Sequence, residues 1–416
     1  MMRDVSAGTA ITRQPVLGVR ANWEQFSLLV AINAFVGAMV GLERSILPLL
    51  AEKEFAVTSA FAVASFVGSF GAAKAIANLS AGALSERYSR RQVLIAGWLF
   101  AIPVPFVIIA APSWWWVVAA NGLLGINQGL AWSMTVNMKI DLAGPRRRGL
   151  ALGLNEAAGY LAVATAAFGA GLIAARWGLR PEPFYLGIAI AAAGTALSVL
   201  CVRDTASHVA HEAGERTSAP VRFRAAFADA TWRRTTLFGA SQTGFVNNLN
   251  DALAWAILPL YFASKGASIG EIGALAATYP LLWGSCQLGT GWLSDTIGRK
   301  RPIVAGMLLQ AAALSVIGLS DAMPGWWLGV VLLGVGTALV YPVLLAAIGD
   351  AVAPFERATV LGVYRFWRDM GAMAGAIVAG LVADVFGFAT AIQIVAGLTA
   401  ASGIGAAFLI SSKEVR

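Results

Sequence analysis

The segment GALSERYSRR, residues 82–91, decides the fold because the chain carries it twice. GWLSDTIGRK, residues 291–300, keeps its spacing of glycine, acidic and paired basic residues 209 positions further on (82 to 291). The segment DLAGPRRRGLALGL (141–154) matches DAVAPFERATVLGV (350–363) at the same offset. A long unit that occurs twice in the same orientation is typical of membrane transporters built from parallel repeats.

The composition of the 416-residue chain also indicates a membrane protein, because 58% of its residues are hydrophobic and only 12% are charged. Soluble domains carry roughly 25% charged residues. Apolar runs long enough to cross a hydrocarbon core of ~30 Å recur along the whole sequence. We therefore predict an all-α membrane protein whose twelve transmembrane helices form two pseudo-symmetric six-helix bundles. The predicted spans, numbered 1 to 12, are 26–50, 59–81, 92–111, 115–139, 149–175, 183–202, 235–262, 270–293, 302–320, 327–349, 358–384 and 388–410.

The repeat predicts three parts of the chain. We expect an N-terminal six-helix bundle over 1–202, a cytoplasmic linker over 203–234 and a C-terminal six-helix bundle over 235–416.

The basic residues predict how the chain is oriented. Lys and Arg concentrate in the segments on the side of the termini, whereas the loops on the other side hold Lys53, Arg176, Arg180 and Lys265. This bias follows the positive-inside rule. We predict a multi-pass protein of the inner (cytoplasmic) membrane with both termini in the cytoplasm. The net charge of +8 is thus a topology signal, and we expect no nucleic acid as partner.

Residues that support soluble-enzyme chemistry are sparse. Cys201 and Cys286 lie in apolar runs far apart in the sequence, and His208 and His211 fall in a polar segment. No His, Cys and carboxylate cluster has the spacing of metal ligands. We expect a monomer that is not an enzyme and binds no metal or cofactor. Its expected partners are a small-molecule substrate, protons and the lipid bilayer.

The repeated segment resembles the loop signature of the major facilitator superfamily, G-x-L-[SA]-D-[RK]-x-G-R-[RK], which lies between helices 2 and 3 and again between helices 8 and 9. The resemblance covers nearly the whole chain. It implies a 6+6 rocker-switch fold that moves a small solute by alternating access. Glu86 and Ser89 depart from the usual Asp and Gly of the first copy. Drug/proton antiporters are the nearest members, but Gly125 replaces the usual arginine of their span 4 and span 5 lacks their Gly-Pro pair. These departures argue against an ordinary multidrug pump.

The same segments predict a conformational gate at the cytoplasmic ends of the helices. Gly82 and Gly291 are expected to let a helix end approach its neighbour closely, and Glu86 and Asp295 to pair with basic residues across that face. In the family such networks lock the outward-facing state. Charge balance at the lipid headgroups is the alternative. The predicted gate residues are Gly82, Glu86, Arg90, Arg91, Asp141, Gly291, Asp295, Arg299, Lys300 and Asp350.

A pair of opposite charges occupies equivalent positions of the two repeats. Glu156 is the single formal charge in the apolar run 149–175, and the repeat maps it onto Arg365. Glu156 follows Arg148 by eight residues (148 to 156), which is about 12 Å along a helix and close to the midplane. A direct pair, contact through a substrate and separate partners are all open, as is an ion pair with a structural role alone. Asp369 competes as the i+4 partner of Arg365.

Further polar residues at membrane depth extend this candidate site. Lys74 lies too deep in span 2 to reach the membrane surface easily, so we expect it to face a cavity. Span 7 places Asn247, Asn250 and Asp251 on one polar stripe at helical spacing. The predicted substrate-binding or coupling residues are Glu156, Arg365, Lys74, Asn155, Tyr160, Gln128, Trp132, Asn127, Glu43, Arg44, Asn247, Asn250, Asp251, Tyr364, Arg368 and Asp369.

These residues predict a secondary active transporter of a small organic solute that is anionic, zwitterionic or drug-like. We expect proton-coupled efflux driven by the proton gradient, and the alternative is proton-coupled or facilitated uptake of an organic anion or metabolite. Glu156 is the first choice for the coupling carboxylate because burial disfavours the charged form of a carboxyl group, and Asp251 and Glu43 follow. Lys74 and Arg365 favour a solute with a negative group.

Overall fold

The computed structural model describes residues 16–144, 148–213, 223–352 and 356–411, which form helices joined by short turns with no β-strand among them. The prediction of an all-α membrane protein is confirmed. Twelve helical rods follow the predicted spans. Within the described ranges, nine of the helices, in spans 1–3, 5, 6 and 9–12, are long and apolar enough to cross a membrane.

The N-terminal bundle contains spans 1 to 6. Its helices are α1 (Trp23–Arg44) and α2 (Leu47–Lys53) in span 1, α3 (Ala60–Arg87) in span 2, α4 (Arg90–Ala101) and α5 (Pro103–Ala110) in span 3, α6 (Trp114–Asn127) and α7 (Ser133–Ala143) in span 4, α8 (Arg148–Trp177) in span 5 and α9 (Glu182–Leu200) in span 6. Pro48 and Pro103 lie in the first turns of α2 and α5. Because proline has no N–H to continue a helix, they account for the divisions of spans 1 and 3.

The C-terminal bundle contains spans 7 to 12. Its helices are α12 (Thr235–Ala252) and α13 (Leu258–Ser264) in span 7, α14 (Ile269–Ile297) in span 8, α15 (Lys300–Leu319) in span 9, α16 (Met323–Ala351) in span 10, α17 (Arg357–Phe386) in span 11 and α18 (Phe388–Leu409) in span 12. Two short helices, α10 (Ala206–Ala213) and α11 (Phe223–Ala228), lie between the bundles in sequence. The division of the chain at 202 and 235 stays a prediction.

Spans 4 and 7 each contain a π-helical turn. The turns cover Gln128–Trp132 and Leu253–Ile257. Single π-helical turns occur frequently at functional sites because the extra residue redirects the side chains around it. They hold Trp132 and Trp255, both of which contact buried charged residues described below.

Two helix pairs join the bundles: span 2 packs along span 11, and span 5 packs along span 8. Small residues allow these close approaches. A Cβ added to Gly71 of span 2 would lie 2.9 Å from the Cβ of Ala372, and one added to Gly284 of span 8 would lie 3.1 Å from the Cβ of Tyr160. Larger residues at these glycines would therefore push the bundles apart.

The bundles meet tightly on the face opposite the two chain ends. We call the side that carries the start of span 1 and the end of span 12 the terminal face, and the other side the opposite face. At the opposite face, Asp384 of span 11 accepts hydrogen bonds from the Ser59 hydroxyl (2.6 Å) and the Ala60 N–H at the start of span 2. A Cβ added to Gly171 of span 5 would lie 2.8 Å from the Cα of Gly273 of span 8. The structure is therefore closed at the opposite face.

At the terminal face, the close approach predicted at Gly82 and Gly291 was wrong for this conformation. Among the described residues, a Cβ added to either glycine would meet no atom of another helix within 4 Å. In this conformation the bundles touch at the opposite face and along spans 2 with 11 and 5 with 8, rather than beside these two glycines.

Candidate functional site

A cavity lies between the bundles at the centre of the molecule, with about 360 Å³ of empty space, part of which is open to solvent. It is lined by side chains of spans 2, 4 and 5 on one side and of spans 10 and 11 on the other. The polar and charged lining residues are Lys74, Asn78, Ser133, Arg365, Arg368 and Asp369. The aromatic lining residues are Trp132, Tyr160 and Tyr341.

One ion pair and one hydrogen bond join the two bundles at this cavity. The Lys74 ammonium lies 3.4 Å from the Asp369 carboxylate, and the Asn78 amide donates to the same carboxylate at 2.5 Å. Arg368 lies 3.6 Å from Asp369 and 3.4 Å from Asp251. We call these five residues the interface cluster. Lys74 thus faces the cavity rather than the membrane surface.

The interface cluster extends into the C-terminal bundle through Asp251. Its carboxylate accepts a short hydrogen bond from the Tyr279 hydroxyl, which also lies 3.2 Å from the Thr337 hydroxyl. Asp251 is fully buried. It is therefore held by a cation and a phenol in the core of the cavity wall.

Arg365 lines the same cavity but forms no ion pair or hydrogen bond with any described residue. The predicted competition from Asp369 at i+4 was wrong, because Lys74 and Arg368 take that carboxylate. The cavity therefore offers one guanidinium group whose charge no carboxylate of the described chain offsets by direct contact.

Glu156 lies behind the cavity wall rather than in it. Its Oε1 accepts hydrogen bonds from the indole N–H of Trp132 (2.9 Å) and the amide of Asn155 (3.0 Å). Its Oε2 has no partner among the described residues, and the residue is 4% exposed. A direct pair with Arg365 is not formed, because Trp132, which lines the cavity, takes the facing oxygen.

Lys139 is a buried charge that the sequence reasoning missed. It is fully buried, and its ammonium donates to the carbonyl of Leu29 at 3.2 Å. It also interacts electrostatically with Glu156. The available signal was a lysine in a predicted apolar span. Because it lies two residues before Asp141, the sequence alone does not distinguish it from a cation at the end of a helix.

Neutral polar residues lie close to Glu156 and Lys139. The Thr135 hydroxyl donates to the Asn33 side chain at 2.9 Å, and the Asn33 amide donates to the Asn155 carbonyl at 2.7 Å. With Lys139 and Glu156 they form what we call the internal cluster, which lies in spans 1, 4 and 5 of the N-terminal bundle alone.

Aromatic rings form the rest of the cavity wall, and the fully buried Trp283 packs against two of them. Tyr160 stacks on Trp283 with ring centroids 3.6 Å apart, and Tyr341 meets Trp283 edge to face at 5.7 Å. The Arg368 guanidinium lies 4.3 Å from the centre of the Tyr341 ring. Trp283 and Tyr341 were not predicted, because aromatic residues are common in apolar spans and nothing in the sequence showed which way they point. The wall suits a flat apolar group beside the charged one.

Several predicted site residues lie elsewhere. Asn247 and Asn250 both bond Gln310 of span 9, at 3.1 and 2.9 Å, so the predicted stripe of span 7 joins helices and only Asp251 reaches the cavity network. Asn127 donates to the Gly97 carbonyl at 3.0 Å. Such hydrogen bonds hold membrane helices together.

The remaining predicted residues are also buried away from the cavity lining. Gln128 is 4% exposed within span 4. Tyr364 packs onto Gly244 of span 7, where a Cβ would lie 2.6 Å from its ring. Glu43 and Arg44 are each 1% exposed at the end of α1. Their neighbours differ, as expected for adjacent helix positions: Glu43 is near Asn121, and Arg44 is surrounded by aromatic rings.

The predicted gate residues form ion pairs at equivalent positions of the two repeats. Arg90 pairs with Asp141, which also accepts from the Thr205 hydroxyl at 2.6 Å. Arg299 pairs with Asp350 at 2.9 Å and with Asp295. Each pair joins helices of one bundle, and its gating role stays a prediction.

Arg91 is not part of these two pairs. Its guanidinium donates to the Val199 carbonyl at 2.6 Å, and its backbone N–H donates to the Asp204 carboxylate at 3.0 Å. The Glu86 side chain lies outside the described residues. Lys300 begins α15.

The fold and the cavity define a class of protein: a two-bundle membrane transporter with its site at the midplane between the repeats. The chain belongs to the Major Facilitator Superfamily, whose family model matches residues 26–248 and 240–416. The predicted family is thereby confirmed.

Individual relatives and a solved structure agree with this family. The chain is 23% identical to the multidrug resistance protein MdtG of Escherichia fergusonii over 379 residues, which cover 88% of this chain and 90% of that protein. It is 26% identical to the 3-(3-hydroxy-phenyl)propionate transporter of Escherichia coli over 73% of each chain. The crystal structure of a mutant of the nucleoside transporter NupG superposes with a TM-score of 0.72 at 14% identity, covering 92% of this chain and 100% of that one. Fold and relatives are those of transporters.

Proposed function

We propose that the chain transports small organic anions that carry an aromatic ring, by alternating access of the central cavity. The free guanidinium of Arg365 carries this proposal, because it is the cavity's cation without a carboxylate partner among the described residues. Guanidinium groups bind carboxylates and similar anions through two parallel hydrogen bonds. The aromatic lining residues Trp132, Tyr160 and Tyr341 supply the surface for the ring.

The name of one relative supports this substrate class. The protein from Escherichia coli named as a transporter of 3-(3-hydroxy-phenyl)propionate takes an aromatic carboxylate. The three cations and single carboxylate that line the cavity also favour a negative solute over a positive one.

We propose that transport is coupled to protons and runs outward. The multidrug resistance relatives support export. Glu156 is the proposed proton-binding group because its Oε2 is buried without a partner among the described residues. Trp132 lines the cavity and donates to Glu156, so it connects the proton site with the substrate site. Coupled or facilitated uptake is the second candidate, and it uses the same cavity.

The location of the basic residues supports a cytoplasmic terminal face. Lys and Arg lie mainly on that side, as the positive-inside rule requires. We propose a monomer in the inner membrane with both termini in the cytoplasm, in which the closed opposite face is the outward one.

Transport of benzenesulfonate in proteoliposomes tests this proposal, because this aromatic anion stays ionised at every working pH. We expect the purified full-length chain to transport it, with accumulation that depends on an imposed pH gradient and whose direction distinguishes export from uptake. The uncharged analogue benzenesulfonamide should not compete. Arg365→Gln should raise KM about tenfold or more, and Arg365→Lys, the matched control, should retain part of the binding. Equal competition by both analogues would contradict the anion proposal.

A further inference from the structure

A second arginine without a hydrogen-bond partner lies outside the central cavity. Arg44 ends α1 and is 1% exposed, and its Nε and both terminal nitrogens have no hydrogen-bond partner among the described residues. Its electrostatic neighbours are Glu43 and Asp251, but no described carboxylate forms an ion pair with it. A guanidinium group carries five N–H donors, so this environment leaves it without acceptors.

Aromatic rings surround the Arg44 guanidinium. It lies 5.4 Å from the ring centre of Phe66, 4.5 Å from that of Phe70 and 4.7 Å from that of Trp255. Ring faces attract a cation, but they accept none of its N–H groups in the plane where an anion binds. The rings therefore stabilise the positive charge of Arg44 but accept no hydrogen bonds from its N–H groups.

The ring cage joins the two bundles, because the two phenylalanines belong to span 2 and Trp255 belongs to span 7. The ends of spans 1 and 7 also meet at the opposite face through α2 and α13. When the bundles separate at that face, Trp255 moves away with the C-terminal bundle. Arg44 then becomes accessible from the opposite side.

Phe70 separates Arg44 from the central cavity. Its ring centre lies 4.5 Å from the Arg44 guanidinium and 5.7 Å from the Lys74 ammonium. An anion at Arg365 and an anion at Arg44 would thus occupy two positions on one path, with the Phe70 ring between them.

We propose that Arg44 is a second anion-binding site, used on the opposite face of the transporter when that face is open. The site takes the same monovalent organic anions as the central cavity, so it rests on the proposed function. An anion that binds Arg44 only after Trp255 has moved stabilises the state open at that face. In the closed state, the rings of Phe66, Phe70 and Trp255 surround the Arg44 guanidinium instead of the anion.

Sided transport measurements test this site. Right-side-out and inside-out membrane vesicles from cells that make the chain present benzenesulfonate to one face at a time, and a protease-accessible tag at the C-terminus reports their orientation. Arg44→Gln should raise KM about tenfold from the opposite face and change it less than about threefold from the terminal face. Arg44→Lys, the matched control, should retain most of the affinity. Arg365→Gln should raise KM from both faces.

A double variant separates binding at Arg44 from simple opening of the gate. Trp255→Ala removes the wall contributed by the other bundle, and we expect it to lower KM from the opposite face. In Trp255→Ala/Arg44→Gln this gain should disappear. A gain that persists in the double variant, or an Arg44→Gln effect that is equal from both faces or absent, would overturn the second site while leaving the proposed function intact. A wild-type chain that transports no benzenesulfonate would overturn both.

Discussion

The interface cluster and the internal cluster contain similar groups, but the interface cluster spans both bundles whereas the internal cluster lies within one. The interface cluster pairs Lys74 of the N-terminal bundle with Asp369 of the C-terminal bundle at 3.4 Å. The internal cluster places Glu156 and Lys139 within the N-terminal bundle, where Glu156 bonds Trp132 and Asn155. In a transporter whose bundles rock against each other, the first set of contacts has to change and the second does not.

This difference indicates that the two clusters have different roles in transport. The ion pair between the bundles can be exchanged for a substrate anion, because Lys74 and Arg368 line the cavity and both pair with Asp369 in this structure, Lys74 across the interface and Arg368 within its own bundle. A carboxylate inside one bundle keeps its neighbours through the cycle, so it can hold a proton whichever face is open. Coupling then requires a residue that contacts both the substrate cavity and the internal cluster. Trp132 lines the cavity and donates a hydrogen bond to Glu156.

The largest effect should come from removing the shared carboxylate of the interface cluster. Asp369→Asn leaves the half-buried Lys74 and the buried Arg368 without this partner, and loss of one member of a buried pair costs about 3–5 kcal/mol. We expect benzenesulfonate transport to be lost and thermal unfolding in detergent to occur at a lower temperature. Asp369→Glu keeps the charge and is the matched control. An Asp369→Asn variant with wild-type transport and stability would show that the ion pairs are dispensable.

The sequence predicted the fold and the presence of these charges but not their partners. The offset between 82 and 291 identifies two six-helix units, and the depth of Glu156, Lys74 and Arg365 in apolar runs marks them as site candidates. Pairing depends on the rotation of each helix about its axis and on π-helical turns, which the sequence pattern does not contain. The pairing of Asp369 with Lys74 rather than Arg365 is therefore a result of packing between spans 2 and 11.

The sequence repeat predicts contacts within each unit but not contacts between the two units. It marked Asp141 and Asp350 as equivalent members of a charge network, and their pairs with Arg90 and Arg299 lie between successive helices of one unit. It could not show that the Arg365 guanidinium faces the cavity while Glu156 lies behind Trp132. Contacts between the units depend on how the two bundles dock.

An intermediate effect is expected from the internal cluster. Glu156→Gln keeps an oxygen that accepts from Trp132 but removes the group that binds and releases a proton. We expect accumulation driven by a pH gradient to be lost, while exchange of labelled for unlabelled benzenesulfonate stays within about threefold of wild type. Thermal stability should change little, in contrast to Asp369→Asn. Undiminished gradient-driven accumulation in this variant would remove Glu156 from the coupling mechanism.

The smallest effect should come from a contact between the bundles that is exposed to solvent. Asp384 caps the start of span 2 by accepting from Ser59 and from the N–H groups of Ala60 and Phe61. Because it is exposed, its loss in Asp384→Ala should cost about 1 kcal/mol, the usual contribution of a helix N-terminal cap. That shifts the equilibrium roughly fivefold toward the state open at the opposite face.

Distances between spin labels can measure this shift. Labels at Ser113→Cys and Ala322→Cys, in a chain with Cys201→Ser and Cys286→Ser, report the separation of the bundles at the opposite face. We expect Asp384→Ala to increase the population with the longer distance and Asp384→Asn, which keeps one acceptor oxygen, to increase it less. If Asp384→Ala instead opened this face completely, burial would not set the strength of the contacts between the bundles. The buried contacts of the interface cluster would then be no more important for holding the bundles together than exposed ones.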